Sequence, residues 1–410
     1  MTQTACRFCG ASVDAVFADL GMSPLANSYL PPERANSMEP FYPLRALVCA
    51  GCFLVQLEEF ETPEQIFSDY AYFSSYSSSW LEHSRRYAEQ MIERLGLGVE
   101  SHVVEIASND GYLLQFFHDR QIPVLGIEPA ANVAKVALQK GIPTLVEFFG
   151  RETAASLAQE SSADLLLGNN VLAHVPDLND FVGGMRILLK QGGVITMEFP
   201  HLMRLVGENQ WDTIYHEHFS YFSFLTVSRI FQAHGLRLYD VEELPTHGGS
   251  LRIYGCHEED AAKVESDAAR ELAERERAAG YEQLETYLGY GNRVEADKRQ
   301  ILSFLIGLKE QGLSVVGYGA PAKGNTLLNY CGVGRDFVDY TCDLNPHKQG
   351  HFLPGSHIPI RSPEAIREQR PDVVLILPWN LKDEIMQQLS FIREWGGRFA
   401  ARTPELTLLS

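Results

Sequence analysis

The sequence predicts an α/β protein with two separate parallel sheets behind a small cysteine-bearing unit. Three observations lead there. Short β-branched runs alternate with helix-patterned segments twice, from about residue 100 to 257 and again from 313 onward. A charged, helix-prone stretch separates the two series. Two C-x-x-C pairs, Cys6/Cys9 and Cys49/Cys52, precede both.

A chain of 410 residues exceeds one ordinary core, so two or three domains are expected. Hydrophobic content of 45% and charged content of 21% are ordinary for globular chains. No apolar run approaches the roughly 20 residues that cross a bilayer. The opening MTQTACRFCGAS lacks a basic segment and apolar core, so a soluble, cytoplasmic protein without membrane contact is expected. The net charge of -19 repels phosphate backbones, and no basic patch offsets it, which argues against nucleic acid as a partner. A few placed arginines or backbone N–H groups can still hold a diphosphate.

Residues 1–62 read as an irregular unit with a Pro-rich loop, SPLANSYLPPERANS. Cys6, Cys9, Cys49 and Cys52 supply four thiolates, which suit a structural Zn²⁺ with no open position. An odd total of seven cysteines argues against a disulfide scaffold. Residues 63–257 begin with a helical pattern (SSSWLEHSRRYAEQMIERLGL). They continue through the strand-like HVVEIA, PVLGIEP, IPTLVEFF, ADLLLGNN and GGVITMEFP. The runs LRLYDVEEL and SLRIYGC are expected to close that sheet with antiparallel strands. Residues 258–312 read as a solvated helical connector. Residues 313–410 repeat the strand–helix alternation, starting with LSVVGYGA and AKGNTLLNYC.

The turn in VVEIASNDGYLL places an acidic residue, small residues and a helix start together, with Glu105, Ala107, Ser108, Asn109, Asp110 and Gly111 as candidates. Such a turn lets an adenosyl ligand approach the backbone closely. The dinucleotide pattern G-x-G-x-x-G is absent, because Ala107 and Asn109 interrupt it. Glu128 and Pro129 end the next strand, where a carboxylate can accept both ribose hydroxyls. Asn169, Asn170 and His174 follow at a later strand end.

The segment DTIYHEHFSY packs His216, His218, Glu217, Tyr215 and Tyr221 into ten residues. Its HEH lacks the H-E-x-x-H spacing that stacks metal ligands on one helical face. In HGGSLR, His247, Ser250 and Arg252 are substrate candidates, Arg252 for phosphate or carboxylate. Lys323 and Asn325 sit at the strand end of GYGAPAKGNTLLNY, where an anion is expected, and His347 and Trp379 are placed in loops beside the same cleft.

EIASNDGYLL, IEP, NNVLAHVPDL and GGVITMEFP resemble the class I S-adenosylmethionine-dependent methyltransferases. The Cys pairs, DYAYFSSYSSSW, YHEHFSYFS, THGGSLRIY and GYGAPAKGNTLLNY narrow the likeness to nucleotide-sugar C-methyltransferases of deoxysugar biosynthesis. The tetronitrose and mycarose C-3-methyltransferases belong to that group. The resemblance runs from Cys6 to about Trp379, and departs at Ala107, where many members carry Gly. It implies a class I methyltransferase Rossmann-like central domain, a small zinc-binding N-terminal domain and a second Rossmann-like C-terminal domain. The cofactors would be S-adenosyl-L-methionine and Zn²⁺, and the substrate a TDP- or other NDP-linked 4-keto-deoxysugar, with the chain a monomer or homodimer. The reaction would be α-proton abstraction, enolate formation and methyl transfer. Carried over from the family, Tyr215, Glu217 and His218 are active-site residues, with His218 as base; a substrate-side tyrosine is expected at Tyr72 or Tyr76, with Tyr70 behind them. Two alternatives stay open at this point: an O- or N-methyltransferase of another scaffold, and a non-catalytic zinc-stabilised binding protein.

Overall fold

The computed structural model describes residues 4–62, 74–402 and 405–409; the side chains of Tyr76 and Ser78 lie outside that description. The N-terminal residues are not irregular, as expected above, but form an antiparallel meander of β1 (Ala15–Ser23), β2 (Tyr42–Val48) and β3 (Val55–Leu57). Register shifts between Val16 and Ala18, and between Asp19 and Met22, break the two-residue alternation that marks a strand in sequence.

The two C-x-x-C turns bring their thiols together. Cys6 Sγ lies 3.5 Å from Cys52 Sγ and Cys9 Sγ 3.5 Å from Cys49 Sγ, with all four within 4.8 Å of one another. Zn–S bonds of about 2.3 Å in a tetrahedron put the sulfurs about 3.8 Å apart, so the cluster fits structural zinc. Each turn closes on the carbonyl of its first cysteine, through the N–H of Gly10 and of Phe53 at 2.9 Å. Both closing residues have positive φ, 73° and 62°.

The central sheet holds β4 (Val103–Ile106), β5 (Val124–Ile127), β6 (Thr144–Leu145), β7 (Ala163–Asn169) and β8 (Leu189–Pro200). Then β9 (Ser220–Tyr221) leaves this sheet and pairs with β3, Val55 opposite Tyr221. The chain returns in β10 (Leu236–Leu244) and β11 (Ser250–His257). The order is β10-β11-β8-β7-β4-β5-β6. Strand β11 runs antiparallel to both neighbours, so it alone is reversed in an otherwise parallel sheet. After β4 the backbone turns through Ala107 and Asn109 with φ of +56° and +50° before Gly111 at +75°. Ala107 holds this turn at the strain of a β-carbon in the left-handed region.

A third sheet follows, with β12 (Val315–Tyr318), β13 (Thr341–Cys342), β14 (Ile360–Arg361), β15 (Val373–Ile376), β16 (Arg398–Arg402) and β17 (Leu406–Leu409). Its order is β14-β13-β12-β15-β16-β17, parallel except for β17. The strand outward order around β12 is that of a Rossmann-like sheet.

The segment expected as a solvated connector is solvated on one side only. Its long helix, Tyr290–Glu310, buries Tyr290, Val294, Ile301, Leu305 and Leu308. These join one hydrophobic core with Phe17, Leu44 and Val55 of the N-terminal sheet and Val315, Leu375 and Ala400 of the third sheet. In the preceding helix, Asp267–Ala278, the buried Glu276 carboxylate accepts the N–H groups of Phe224 (2.8 Å) and Leu225 (2.9 Å), and meets His201 Nε2 at 2.6 Å. It therefore caps the helix Phe224–Ala233 from a distant part of the chain. Among the described residues no helix is long and apolar enough to cross a membrane.

Two outcomes follow from this geometry. Elemental analysis of the purified protein is expected to give one zinc per chain; Cys49→Ser should lose the ion and lower the unfolding midpoint by about 5 °C or more. Ala107→Gly, by removing a left-handed β-carbon, should raise stability to urea by about 1 kcal/mol.

Candidate active site

A cavity of about 710 Å³ opens between the three sheets. One end is formed by strand ends of the central sheet: Ala107, Asn109, Glu128, Pro129, Asn169 and Asn170 line it, with Phe149 and Tyr112 beside them. Glu128 Oε2 accepts the Asn109 N–H at 2.9 Å and Oε1 the Ala130 N–H at 2.8 Å. Each oxygen keeps a lone pair, which suits the two hydroxyls of a ribose. Burial raises the Glu128 carboxyl despite those bonds.

Four residues expected to touch the cofactor lie behind this wall. Glu105 is buried in β4, and burial pushes its carboxyl well above the usual range. Ser108 packs where a β-carbon on Gly126 would meet it at 2.3 Å. Asp110 pairs with Lys140 at 3.3 Å and with the Ser75 hydroxyl. A β-carbon on Gly111 would meet Ile142 at 3.1 Å and Ala137 at 3.3 Å, so glycine serves close packing there. These residues shape the turn; Ala107 and Asn109 present it.

The middle of the cavity is lined by Tyr215, Glu217, His218, His174 and His247. His218 Nδ1 lies 3.2 Å from the Thr213 carbonyl, which can only accept, so Nδ1 carries the hydrogen and Nε2 the lone pair. The Tyr215 hydroxyl sits 2.8 Å from that Nε2 and donates to it, with ring centroids 4.0 Å apart. His174 is fixed likewise: its Nδ1–H donates to the Glu217 carbonyl at 2.7 Å. Its ring lies 4.7 Å from that of His218, so it joins this cluster, whereas sequence placed it with the cofactor. Asn170 Nδ2 donates to His247 Nε2 at 2.6 Å, and Trp80 stands edge-on to that ring.

Burial keeps these imidazoles neutral. It lowers His174 and His247 to about 4 and His218 well below the ordinary 6.5. Burial also raises Glu217 to about 7, partly offset by hydrogen bonds from Asn27. The Thr213 carbonyl, not the Glu217 carboxylate, orients the imidazole of His218. His216 turns the other way. Its Nε2 faces the Pro43 carbonyl at 3.2 Å, and Tyr42 and Phe60 pack against its ring.

The far end belongs to the third sheet and the N-terminal loop. Lys323 Nζ donates to Asn380 Oδ1 at 2.8 Å and lies 4.5 Å over the Trp379 ring; burial lowers it to about 8. Lys348 Nζ and the Tyr29 hydroxyl both donate to the Ala320 carbonyl, at 2.9 and 2.6 Å. Lys323, Lys348, Asn27 and Tyr29 all face the cavity.

Three substrate candidates do not. Arg252 is buried between Glu198 and Glu242, each at 2.9 Å, with Tyr87 beneath it. Two carboxylates already neutralise it, so it is not a phosphate ligand. The Ser250 hydroxyl donates to the Thr246 carbonyl at 2.9 Å, in the turn between β10 and β11. Asn325 Nδ2 donates to the Ala26 carbonyl at 2.6 Å and so holds the loop that carries Asn27. Of the loop candidates, Trp379 is buried, donating to Asp212 Oδ2 at 2.6 Å; His347 is not among the lining residues. Tyr70 and Tyr72 lie outside the described residues. Tyr76 belongs to the single turn Ser74–Tyr76, and its side chain lies outside the description.

Sequence reasoning missed Asn27, Tyr29 and Lys348. Asn27 and Tyr29 belong to a loop whose Pro-rich composition hid them. Lys348 follows Asp343 just past a strand end, the same kind of position that drew attention to Glu128.

Known proteins give a consistent match. Residues 6–67 fit the family model of a zinc binding domain, residues 80–241 that of a methyltransferase domain, and residues 245–404 that of a C-methyltransferase C-terminal domain. The C-methyltransferase NovU of Streptomyces niveus is 37% identical over 406 residues, covering 99% of this chain and 96% of its own. Among solved structures, an S-adenosylmethionine-dependent methyltransferase from Clostridium acetobutylicum is 9% identical, with a TM-score of 0.35, over 43% of this chain and 91% of its own. The magnesium protoporphyrin IX methyltransferase of Synechocystis with bound SAH is 12% identical, also at 0.35, over 43% and 82%. The match to NovU displaces both the O- or N-methyltransferase and the non-catalytic alternatives. With a zinc-fitting cysteine cluster, a reversed-strand Rossmann-like sheet and near full-length identity of this order, the chain belongs to the S-adenosylmethionine-dependent C-methyltransferases.

Proposed function

We propose that the protein methylates a carbon beside the ketone of a nucleotide-linked 4-keto-deoxysugar, after His218 removes a proton from that carbon. The observation that carries this is the tautomer lock on His218. It leaves a neutral Nε2 lone pair, hydrogen-bonded to a phenol, in the same cavity as Glu128 and Asn169.

Glu128, Asn169 and the turn at Ala107–Asn109 would hold S-adenosylmethionine, Glu128 through the ribose hydroxyls. When bound, it supplies a methyl on a sulfonium, which is electrophilic without further activation. The chain must therefore make a carbon nucleophile. His218 Nε2 takes the α-proton, and the C–H electron pair passes into the ketone as an enolate. The Tyr215 hydroxyl, released from Nε2, donates to the enolate oxygen. An imidazole held below its usual pKa is a weak base, so that donation is needed as charge develops. The same low pKa makes the imidazolium give up its proton after turnover. Glu217, near 7, is placed with Asn27 to hold a sugar hydroxyl.

Lys323 and Lys348 are the cations facing this cavity among the described residues. With Lys323 near 8, it is mostly charged at neutral pH. A diphosphate between sugar and base meets both, at the strand end of the third sheet. That arrangement supports a nucleotide-sugar over an uncharged scaffold.

With keto-sugar nucleotide in D₂O, the enzyme is expected to exchange the α-proton; His218→Gln should abolish the exchange, and an unchanged rate would exclude His218 as base. Tyr215→Phe should slow it about a hundredfold. The buried histidines also set a pH dependence of stability. In the unfolded chain each binds a proton near 6.5, whereas His174 and His247 resist it to about 4 when folded. Their contribution is therefore present above pH 6.5 and lost as pH falls toward 4, at about 1.4 kcal/mol per pH unit for each ring. Glu217 acts with the opposite sign, losing its contribution as pH rises through about 7. The urea midpoint should drop between pH 6.5 and 5, and His247→Asn should make that drop shallower.

A further inference from the structure

Arg7 stands inside the first cysteine turn, between Cys6 and Cys9, and its guanidinium reaches both loops that carry the cavity's central histidines. Nη1 donates to the Pro176 carbonyl at 2.9 Å, two residues past His174. Nη2 donates to the Leu57 carbonyl at 2.5 Å, and the Leu57 N–H in turn donates to the Phe219 carbonyl at 3.0 Å, next to His218. The guanidinium also lies 5.2 Å over the Phe219 ring. Two further side chains hold the turn, from the helix Leu178–Leu188 and from β3. Asn179 Nδ2 donates to the Phe8 carbonyl at 2.9 Å and the Arg7 carbonyl at 3.3 Å, and Gln56 Oε1 accepts the Arg7 N–H at 3.0 Å.

We propose that Arg7 is a positioning residue for His174 and His218, a planar fork set by the zinc turn that locks the two histidine loops at a fixed separation. The inference rests on the proton-abstraction reading above. His174 and His218 have ring centroids 4.7 Å apart but come from loops 44 residues apart in sequence, and neither ring bonds the other. The bond from His174 Nδ1–H to the Glu217 carbonyl joins the two loops at the cavity, and Arg7 joins them behind it. Three carbonyl or aromatic contacts converge on Arg7 there, from Pro176, Leu57 and Phe219. The cysteine turn fixes the Arg7 backbone, so the four thiolates hold the histidine spacing at a distance. Lysine cannot reproduce this, since one ammonium lacks the fixed fork that spans two carbonyls. A shift of about 1 Å between reacting groups costs about a hundredfold in rate, so a small slackening of these loops is visible in the chemistry.

The test uses full-length, zinc-loaded enzyme carrying Arg7→Met or Arg7→Lys. Both are expected to keep one zinc per chain and to bind S-adenosylmethionine within about twofold of the unsubstituted enzyme, because the Glu128 end is untouched. Exchange of the substrate α-proton and kcat should fall about tenfold or more in Arg7→Met and less in Arg7→Lys, with KM little changed. A purely structural role would lower stability while leaving exchange per folded, zinc-loaded molecule as it was; exchange within twofold of the unsubstituted enzyme overturns the proposal. Should Arg7→Met not fold, Arg7→Lys decides on the same terms. Should the unsubstituted enzyme itself show no His218-dependent exchange, the proton-abstraction reading fails separately. Arg7 is then judged by histidine ring NMR: His174 and His218 resonances are expected to move in the variants while those of His257, bonded to the Leu189 carbonyl at the end of β8 opposite Pro200, stay. Unmoved His174 and His218 signals would overturn it.

Discussion

Three parts of the chain meet at one buried guanidinium. Arg402, from β16, contacts Asp212 Oδ1 at 3.0 Å, Asp297 Oδ2 at 2.7–2.9 Å and the Asn209 carbonyl. Asp212 opens the segment that carries Tyr215 and His218, and Asp297 lies on the long helix Tyr290–Glu310. Two indoles complete the set, Trp379 donating to Asp212 and Trp211 to Asp297, each at 2.6 Å. Desolvating these charges costs several kcal/mol per ion, so the cluster does not raise stability merely by being ionic. What it does is penalise misassembly. Removing one partner leaves a buried carboxylate uncompensated, at about 3–5 kcal/mol, and the third sheet and the histidine segment cannot shift independently without that loss.

The rest of the assembly follows from that constraint. The cavity has walls from three sheets, and a cavity between separately moving parts would not hold a proton-transfer geometry. The long helix supplies a continuous apolar core from Phe17 to Ala400, with Phe17 stacked on Tyr290 at 4.5 Å. Glu276 ties the preceding helix to Phe224 and Leu225. Strand β9 leaves the central domain to extend the N-terminal sheet, so His218 is fastened on one side to the zinc-bearing unit and through Asp212 on the other to the third sheet.

This is also where reading the sequence stopped working. The two α/β series were legible because strand and helix periods are local, and the cysteine pairs were legible because two-residue spacing already brings two sulfurs to one point. The class of the turn at Ala107 and the carboxylate at Glu128 could be read from position relative to strand ends. Arg252 was misjudged because its partners, Glu198 and Glu242, lie on neighbouring strands, and pairing across strands is set by register that no local pattern reveals. The connector helices looked solvated because charge dominates their composition, while the apolar stripe that joins the core is a minority of residues. Asn27 reaches Glu217 from a loop whose Ala26 carbonyl is held by Asn325, some 300 positions away. His216 and His218 look equivalent in HEH, and the choice between them is made by Pro43 and Thr213, neither of which a spacing rule would nominate.

Burial of the imidazoles explains why the cavity sits between domains and not on a surface. A base must start neutral, and a desolvated histidine is neutral across the whole range where an exposed one would be half-charged. The same desolvation weakens it as a base, so the proposed reaction requires donors ready at the oxygen where charge would appear. A surface cleft could not supply both, because water that eases the charging of the imidazole also competes for those donors. A net charge of -19 adds a second difficulty for the nucleotide-linked substrate proposed above, since the overall field opposes a dianion. Charges beyond a Debye length of about 8 Å are largely screened at physiological salt, whereas Lys323 and Lys348 face the cavity itself, Lys348 with Asp343 at 3.8 Å. Lys323 also stands close enough to His218 and His247 to lower both further, which adds to the burial that keeps these rings neutral.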